Sequence, residues 1–186
     1  MNTITQAVGL QTYTIDASHS QVGFTTRHMG FSKVRGRFET FEGTLRMVPD
    51  RLDTLEADVV VETGSINTNE AKRDAHLRTS DFFLVEEHPN LTFKSTGVRD
   101  VNGNRCTLLG DLTIRGVTKP VALEAEYLGE GKDPWGGTRV AFEGRAKINR
   151  KDFGLNWNVV LETGGWLVSE DVEISLEVQA VQQSGE

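Results

Sequence analysis

Most of the chain alternates between apolar and polar residues with a period of two. In the segment 56–62, Ala57, Val59 and Val61 share one face, while the acidic Asp58 and Glu62 lie on the other. Rows of the same kind occur at 22–24, 108–114, 121–127, 140–148 and 172–178. This pattern is typical of antiparallel strands that pack one face on a core and expose the other to water.

Turn signals separate these rows. Asn102-Gly103-Asn104 lies between two alternating segments and predicts a hairpin, and the Gly- and Pro-containing segments 115–120 and 129–137 separate the next pairs. About eight strands joined in this way predict a meander, which can form either a sandwich or a closed barrel. An eight-stranded barrel can hold one small ligand or be filled by its own side chains, and the alternation alone is compatible with both.

One segment breaks the alternation and predicts a short helix over 67–80. Asn67 is a candidate N-cap with Glu70 as its capping-box partner, and Asp74 and Arg78 have the spacing of an i, i+4 ion pair. A second short helical or irregular piece is expected over 150–160. The simplest division of the chain is one domain over 13–182, with an N-terminal segment 1–12 and a C-terminal tail 183–186.

Composition narrows the classes of function. The chain has 186 residues and a formal net charge of −7, which argues against binding to nucleic acid and to anionic membrane surfaces. No stretch has the length and apolarity of a membrane helix, so no stable membrane insertion is expected. The N-terminal residues show no signal-peptide pattern, and we therefore expect a cytoplasmic protein, or a periplasmic one if a leader was removed.

Candidate chemistry is sparse. The single cysteine, Cys106, cannot form an internal disulfide or a cysteine-based zinc site. The four histidines lack the spacing of a metal site, and no nucleophile elbow or phosphate-binding loop is present. The sequence therefore predicts no metal, no cofactor and no catalytic residue. Phenylalanine dominates the aromatic residues, which suits either a plain core or an apolar tunnel.

Five blocks of residues, in order along the chain, resemble the YceI-like family of polyisoprenoid-binding proteins. They are Tyr13-x-Ile15-Asp16-x-x-His19-Ser20-x-Val22-x-Phe24 with His28; Gly36-x-Phe38-x-x-Phe41-x-Gly43; Ser65-Ile66-x-Thr68 through Arg73-Asp74-x-His76-Leu77 and Asp81-Phe82-Phe83 to Pro89-x-x-x-Phe93; Gly110-x-Leu112-Thr113-Ile114-x-Gly116-x-Thr118-Lys119-x-Val121; and Arg150-x-Asp152-Phe153-Gly154. The resemblance covers about 13–178.

This resemblance implies an all-β fold, an eight-stranded antiparallel lipocalin-like barrel with one short covering helix at about 67–80. It implies an apolar tunnel that holds a polyisoprenoid or a similar long-chain, fatty amphiphile. It also implies a carrier without enzyme activity and without a required metal, which is commonly a homodimer.

The inward rows and the phenylalanines supply the candidate binding residues. The predicted tunnel lining consists of Val22, Phe24, Phe38, Phe41, Val59, Val61, Phe82, Leu112, Ile114, Phe142, Ala146, Ile148 and Phe153. The predicted polar mouth consists of His19, His28, Arg73, His76 and Arg150. Arginine at the mouth would suit a diphosphate headgroup, because its planar fork matches phosphate oxygens.

Two other functions fit the same sequence. One is an enzyme that acts on a lipid or a reactive small molecule, with His19, His28 or His76 as general base. The other is an interaction module whose barrel is filled by its own side chains and holds no ligand. The presence and size of an interior cavity distinguish a carrier from the filled barrel.

Overall fold

The computed structural model describes residues 9–185, and within them the chain forms eleven strands and one α-helix. The strands are β1 Gln11–Ile15, β2 Gln21–His28, β3 Ser32–Phe38, β4 Phe41–Val48, β5 Arg51–Glu62, β6 Ile66–Asn67, β7 Asn90–Asn102, β8 Arg105–Ile114, β9 Val117–Lys132, β10 Thr138–Asn149 and β11 Asp171–Gln182. The helix, α1, spans Ala71–Leu77. The predicted segments 1–12 and 183–186 lie partly outside the described residues.

All strand pairings are antiparallel, and the sheet closes because β1 pairs with both β4 and β11. Three strand positions are interrupted. β1 and β2 follow one another along β11, separated by a 3-10 turn at Ala17–His19. β4 and β3 form the next position, paired with β1 and β2, and β5 and β6 form the third, paired with β4 and β3. Counted this way, the described residues form a barrel with eight strand positions. The predicted all-β, eight-stranded antiparallel barrel is confirmed.

The covering helix is shorter than the predicted 67–80 and begins differently. Glu70 is the N-cap, and its carboxylate accepts from the backbone N–H groups of Lys72 and Arg73 at 3.2 and 2.6 Å. Asn67 belongs to β6 instead, where its side chain accepts from Asn69 N and donates to Glu39. The prediction of Asn67 as N-cap was wrong because the polar side chain that precedes the first helical turn is that of Glu70.

The predicted ion pair within the helix was also wrong. Asp74 accepts from the backbone N–H and hydroxyl of Thr68, and Arg78 donates to the carbonyls of Gly64 and Ile66, so the two do not pair. The segment 150–160, expected to be helical or irregular, forms a 3-10 turn at Arg150–Phe153 and continues as irregular chain. The predicted hairpin at Asn102-Gly103-Asn104 is present, with Asn102 opposite Arg105.

The barrel interior consists of two halves. At the end that carries the turns 49–50, 103–104 and 133–137, buried side chains fill the space between the strands. We call this the filled half; it contains Tyr13, Ile15, Leu45, Met47, Leu52, Leu55, Cys106, Val140, Phe142 and Ala180. The end covered by α1 and by 150–169 is the hollow half, and the cavity described next lies there.

Candidate functional site

The hollow half encloses a cavity of about 210 Å³ that is partly open to solvent. A cavity of about 150 Å³ is enough to bind benzene, so this space has room for an apolar group of that size or somewhat larger, and its open side leaves a way for a longer chain to continue. The wall is formed by residues of β2, β3, β5, β6, β7, β8, β10 and β11 and of the first half of β9. Residues of α1 and of the segments 82–83 and 150–168 complete it. Among residues 9–185, Thr26 and Arg150 are the only polar side chains on this wall.

Two glycines keep the wall thin. Phe24 lies over Gly36, its cross-strand partner, so closely that a Cβ on Gly36 would lie 2.3 Å from the ring. Phe93 lies over Gly110 in the same way, and a Cβ there would also lie 2.3 Å from the ring. Each ring therefore lies against the sheet, in the place that a side chain on the glycine would take. The centre of the barrel beside each ring stays open.

In the filled half, buried side chains of the described residues pack against one another. Phe142 and Tyr127 pack with ring centroids 5.1 Å apart, next to a β-bulge in the β9–β10 pair. Tyr13 is 1% exposed, and burial, followed by the nearby charges of Glu130 and Asp50, raises the pKa of its phenol. Tyr13 therefore stays neutral, and this end of the barrel is a packed core.

Arg150 lies at the edge of the cavity and is 5% exposed. Its guanidinium donates to four backbone carbonyls: Ser169 at 2.9 Å, Leu155 at 2.6 Å, Trp157 at 2.9 Å and Val168 at 3.4 Å. Burial lowers its pKa, and the neighbouring Glu170 opposes that shift. Arg150 thus holds both ends of the segment 155–169 against the barrel and places a positive charge beside an apolar cavity.

Aromatic side chains connect the cavity wall to its cover. Phe82 lines the cavity and packs on Trp157 at 5.4 Å between ring centroids. The ring of His76, on α1, meets both of them edge-on, at 5.2 Å from Phe82 and 4.7 Å from Trp157. Nε2 of His76 lies 2.7 Å from a carboxylate oxygen of Asp81. His76 therefore orders the cover behind Phe82 and does not face the guest space.

The structure brings ten of the thirteen predicted lining residues to the wall. These are Val22, Phe24, Phe38, Val59, Val61, Phe82, Leu112, Ile114, Ile148 and Phe153. Phe142 lies deeper, in the filled half, and Phe41 is buried opposite Val61 without forming part of the wall. Ala146 lies opposite Ile174, whose longer side chain forms that part of the wall. As ligand contacts, all thirteen stay predictions.

Of the predicted polar mouth, only Arg150 reaches the cavity wall. Arg73 donates to the hydroxyl and the carbonyl of Thr68, both at 2.8 Å. His28 is exposed at the end of β2. His19 is exposed on the 3-10 turn and lies 2.8 Å from Asp16. No histidine among the described residues therefore borders the cavity.

Sequence reasoning passed over a large part of the wall. The missed residues are Ile66, Leu77, Phe83, Leu91, Phe93, Val121, Leu123, Leu155, Val168, Val172, Ile174 and Leu176, together with Gly23 and Thr26. The alternation already marked the rows 121–127 and 172–178 as inward, and this signal was sufficient to find five of them. No pattern marked Leu155 and Val168, because they lie in irregular segments.

Residues 9–185 contain neither a membrane-spanning helix nor a cluster of metal-binding side chains. In the described part of the chain, 9–185, no helix combines the length and the apolar character needed to cross a membrane. Within the same residues, His, Cys, Asp and Glu side chains nowhere gather in a group of three that could hold a metal ion.

Comparison with known sequences gives a consistent match. The profile of the YceI-like domain matches residues 13–180. A UPF0312 protein of Azotobacter vinelandii is 38% identical over 173 residues, which are 92% of this chain and 87% of that protein. Protein YceI of Salmonella arizonae is 40% identical with the same coverage of both chains.

Solved structures share the fold. A Campylobacter jejuni YCEI protein aligns with a TM-score of 0.74 and 28% identity over 85% of this chain and 90% of its own. Burkholderia cenocepacia BcnA aligns with a TM-score of 0.78 and 21% identity, over 89% and 99% of the two chains. A polyisoprenoid binding domain from Saccharophagus degradans, implicated in plant cell wall breakdown, aligns with a TM-score of 0.68 and 16% identity over 92% and 98%. The last two likenesses show the fold alone.

Proposed function

This chain belongs to the YceI-like family, and from that premise we propose that it is a non-catalytic carrier for an isoprenoid or similar long-chain amphiphile. The guest's apolar chain would occupy the hollow half. The single observation that carries the proposal is the cavity of about 210 Å³ whose wall is apolar except for Thr26 and Arg150. A fold neighbour that is a polyisoprenoid binding domain supports the same class of guest.

The apolar wall decides what kind of guest fits. Burial of hydrocarbon contributes about 0.8 kcal/mol for each CH₂ removed from water, without any directional contact. An unpaired polar group inside such a wall would lose its hydrogen bonds to water and gain none. The cavity therefore favours hydrocarbon chains and excludes polar metabolites, and it discriminates by shape more than by chemical identity.

Arg150 supplies the polar end of the proposed site. Its Nη2 has only one carbonyl acceptor, Val168 at 3.4 Å, so a hydrogen remains that can point toward a guest oxygen. The positive charge beside an apolar wall favours an amphiphile whose hydroxyl or phosphate lies at the edge and whose chain lies inside. Thr26 is at the same edge, where its hydroxyl lies 2.7 Å from that of Ser169.

The absence of a catalytic role rests on the position of the titratable groups. A general base must come within hydrogen-bond reach of the atom it deprotonates. In the described residues the cavity wall contains no histidine, carboxylate or cysteine, and its one ionisable side chain, Arg150, stays protonated. This arrangement supports retention of a guest over its conversion.

A cavity-filling variant tests the proposal. Ile174 faces the cavity from β11, and its neighbour Glu173 faces solvent. We expect Ile174→Trp to lower the affinity for geranylgeraniol by about tenfold or more, because the indole occupies the guest's space, whereas Glu173→Trp binds like the wild type. Binding is measured by titration of the delipidated protein, and circular dichroism checks that both variants stay folded.

The outcomes separate the candidates. Loss of binding in Ile174→Trp alone supports a guest in the hollow half. Equal binding in all three proteins would place the guest elsewhere and contradict the proposal. Consumption of geranylgeraniol during the titration, abolished in a His76→Gln variant, would favour the enzyme instead.

A further inference from the structure

Five large apolar side chains are exposed next to the edge of the cavity. Met29 and Phe31, at the tip of the β2–β3 hairpin, are 41% and 82% exposed. Val159, Val160 and Trp166, in the segment that Arg150 anchors, are 44%, 66% and 50% exposed. We call these five side chains the apolar rim. Large exposed apolar groups that cluster in this way mark an interaction surface.

The two segments of the apolar rim lie side by side. Met29 N–H donates to the Leu167 carbonyl at 2.8 Å, and His28 forms a β-bridge with Val168. Val160 forms a bridge with Trp166 in turn, so backbone pairing links the hairpin tip to the segment that contains Val159, Val160 and Trp166. The cavity residues Thr26 and Val168 belong to the same strands, two or three residues away from the rim.

Unpaired cations surround this rim. The hairpin Gln21–Phe38 contains four Arg or Lys residues and no Asp or Glu, in a chain whose net charge is −7. Arg27 lies directly opposite Lys33, a like-charge pair that destabilises a hairpin. Within residues 9–185, no carboxylate lies within 4 Å of Arg27, Lys33 or Arg35. An external anionic partner would relieve this repulsion.

The turn itself gives no reason for an apolar tip. Met29 and Gly30 have φ values of 54° and 74°, a conformation in which Asn-Gly is the favoured pair. Methionine at this position therefore gains nothing from the backbone and projects an apolar side chain into solvent. Trp166 lies 5.5 Å from the ammonium group of Lys151, which also pairs with Glu170 at 2.7 Å. Tryptophan, with an apolar ring and one N–H group, suits a position at a lipid–water interface.

We infer that the apolar rim and its flanking cations dock this protein on the surface of an anionic lipid bilayer. The net charge of −7 opposes such binding for the chain as a whole, but the hairpin Gln21–Phe38 is locally positive, and the more distant charges are screened by salt. The apolar side chains enter the boundary between headgroups and acyl chains, and Arg27, Lys33 and Arg35 meet the lipid phosphates. In this orientation the cavity edge at Thr26 and Val168 faces the membrane, from which a guest can enter. That last step rests on the proposed function; the docking itself does not.

Vesicle flotation tests the inference. We expect the wild type to float with vesicles that contain phosphatidylglycerol and to bind pure phosphatidylcholine weakly, with binding lost at high salt. Replacing Arg27, Lys33 and Arg35 together by Gln should lower the partition coefficient by about fivefold per charge removed. Phe31→Ser should lower it by about tenfold, because the side chain no longer buries hydrocarbon.

Two control variants address general effects of hydrophobicity and charge. Trp135 is 87% exposed at the opposite end of the barrel, so Trp135→Ser should leave flotation unchanged. Glu162 is exposed in the turn between Val160 and Trp166, and Glu162→Gln should strengthen binding. Equal loss in Trp135→Ser and Phe31→Ser, or no flotation of the wild type, would overturn the inference.

A second copy of this chain is the competing occupant of the apolar rim. Light scattering, which gives the molar mass in solution, tests for it. If Phe31→Ser converts a dimer to a monomer and the wild type does not float, the apolar rim is a dimer interface and the inference is wrong. Flotation without any bound geranylgeraniol would leave the docking intact and reject the carrier function. Guest binding without flotation would leave the carrier function intact and reject the docking.

Discussion

The two halves of the barrel are made from the same alternating strands, yet one is packed solid and the other is hollow. In the filled half, the rings of Phe142 and Tyr127, which lie opposite each other on neighbouring strands, pack on each other. In the hollow half, Phe24 and Phe93 lie flat over Gly36 and Gly110 and leave the centre empty. At these two positions, a missing side chain on the neighbouring strand leaves room for an inward aromatic ring to line the cavity.

The division of the interior also separates stability from binding. A packed core gains dispersion contacts on all sides of each side chain, whereas a side chain that borders a cavity has partners on one side only. The filled half therefore contributes more of the folding free energy for each residue. The hollow half leaves apolar surface unpaired, and a guest can cover that surface.

A matched pair of leucine truncations should show the largest effect. Leu55 is 4% exposed in the filled half, and Leu176 is half-buried on the cavity wall. We expect Leu55→Ala to lower the free energy of unfolding by about 2–5 kcal/mol. Leu176→Ala should lower it by only about 1–2 kcal/mol, because part of that side chain already borders empty space. Urea unfolding of both variants measures this difference.

Equal losses of unfolding free energy in the two variants would contradict the claim that the filled half contributes more to stability than the hollow half. Addition of geranylgeraniol sharpens the test, because a guest bound to the folded state raises the apparent stability. The guest should raise the free energy of unfolding of Leu55→Ala by the same amount as that of the wild type. For Leu176→Ala the increase should differ from that of the wild type, because the cavity that holds the guest is larger.

A smaller effect on stability, which depends on pH, is expected for Asp16 at the break between β1 and β2. Its carboxylate accepts from Ser18 Oγ at 2.6 Å, Arg139 Nη1 at 2.7 Å and His19 Nδ1 at 2.8 Å, and these bonds, that from Ser18 first, lower its pKa. Since the folded pKa lies below the unfolded one, its stabilisation is complete above about pH 4 and is lost as the pH falls through the folded pKa.

The variant Asp16→Asn should lose about 1–3 kcal/mol at neutral pH, because the bond to Arg139 loses its charge. In strongly acidic solution the wild type loses the same contribution, so the two proteins should converge in stability. Urea unfolding at both pH values measures this. A constant difference between them would show that Asp16 does not act through its ionised carboxylate.

Gly36→Ala predicts the smallest effect on folding and a selective effect on binding. The three atoms nearest to the added Cβ all belong to the ring of Phe24, a side chain that can turn away into the cavity. We expect stability to change by less than about 1 kcal/mol and the affinity for geranylgeraniol to fall by about tenfold. Gly97→Ala is the matched control on β7, since nothing lies within 4 Å of its Cβ position. Unchanged binding in Gly36→Ala would mean that the guest does not occupy the space in front of Phe24.

The period-two alternation was sufficient to predict the strands, and the family resemblance predicted their closure into a barrel. The division of the interior could not be read in the same way. Alternation tells which side chains point inward, but Phe24 and Phe142 carry the same signal although they lie in different halves. Their difference depends on what stands opposite them, and that follows from strand register.

Charged residues misled sequence reasoning for a related reason. Arg73 and Arg150 both lie in short charged runs, yet only Arg150 is buried at the cavity. Its four acceptors are backbone carbonyls from 155–169, which leave no residue pattern in the sequence. Likewise, Asn67 and Glu70 have capping-box spacing, but the turn before α1 gives the N-cap to Glu70.

Solvent extraction of the freshly purified protein, followed by mass spectrometry, tests the central claim most directly. The carrier account predicts an isoprenoid or long-chain amphiphile in near-equimolar amount in the wild type and in Glu173→Trp, and little or none in Ile174→Trp. A wild type that carries no such molecule and also fails to bind geranylgeraniol would contradict it.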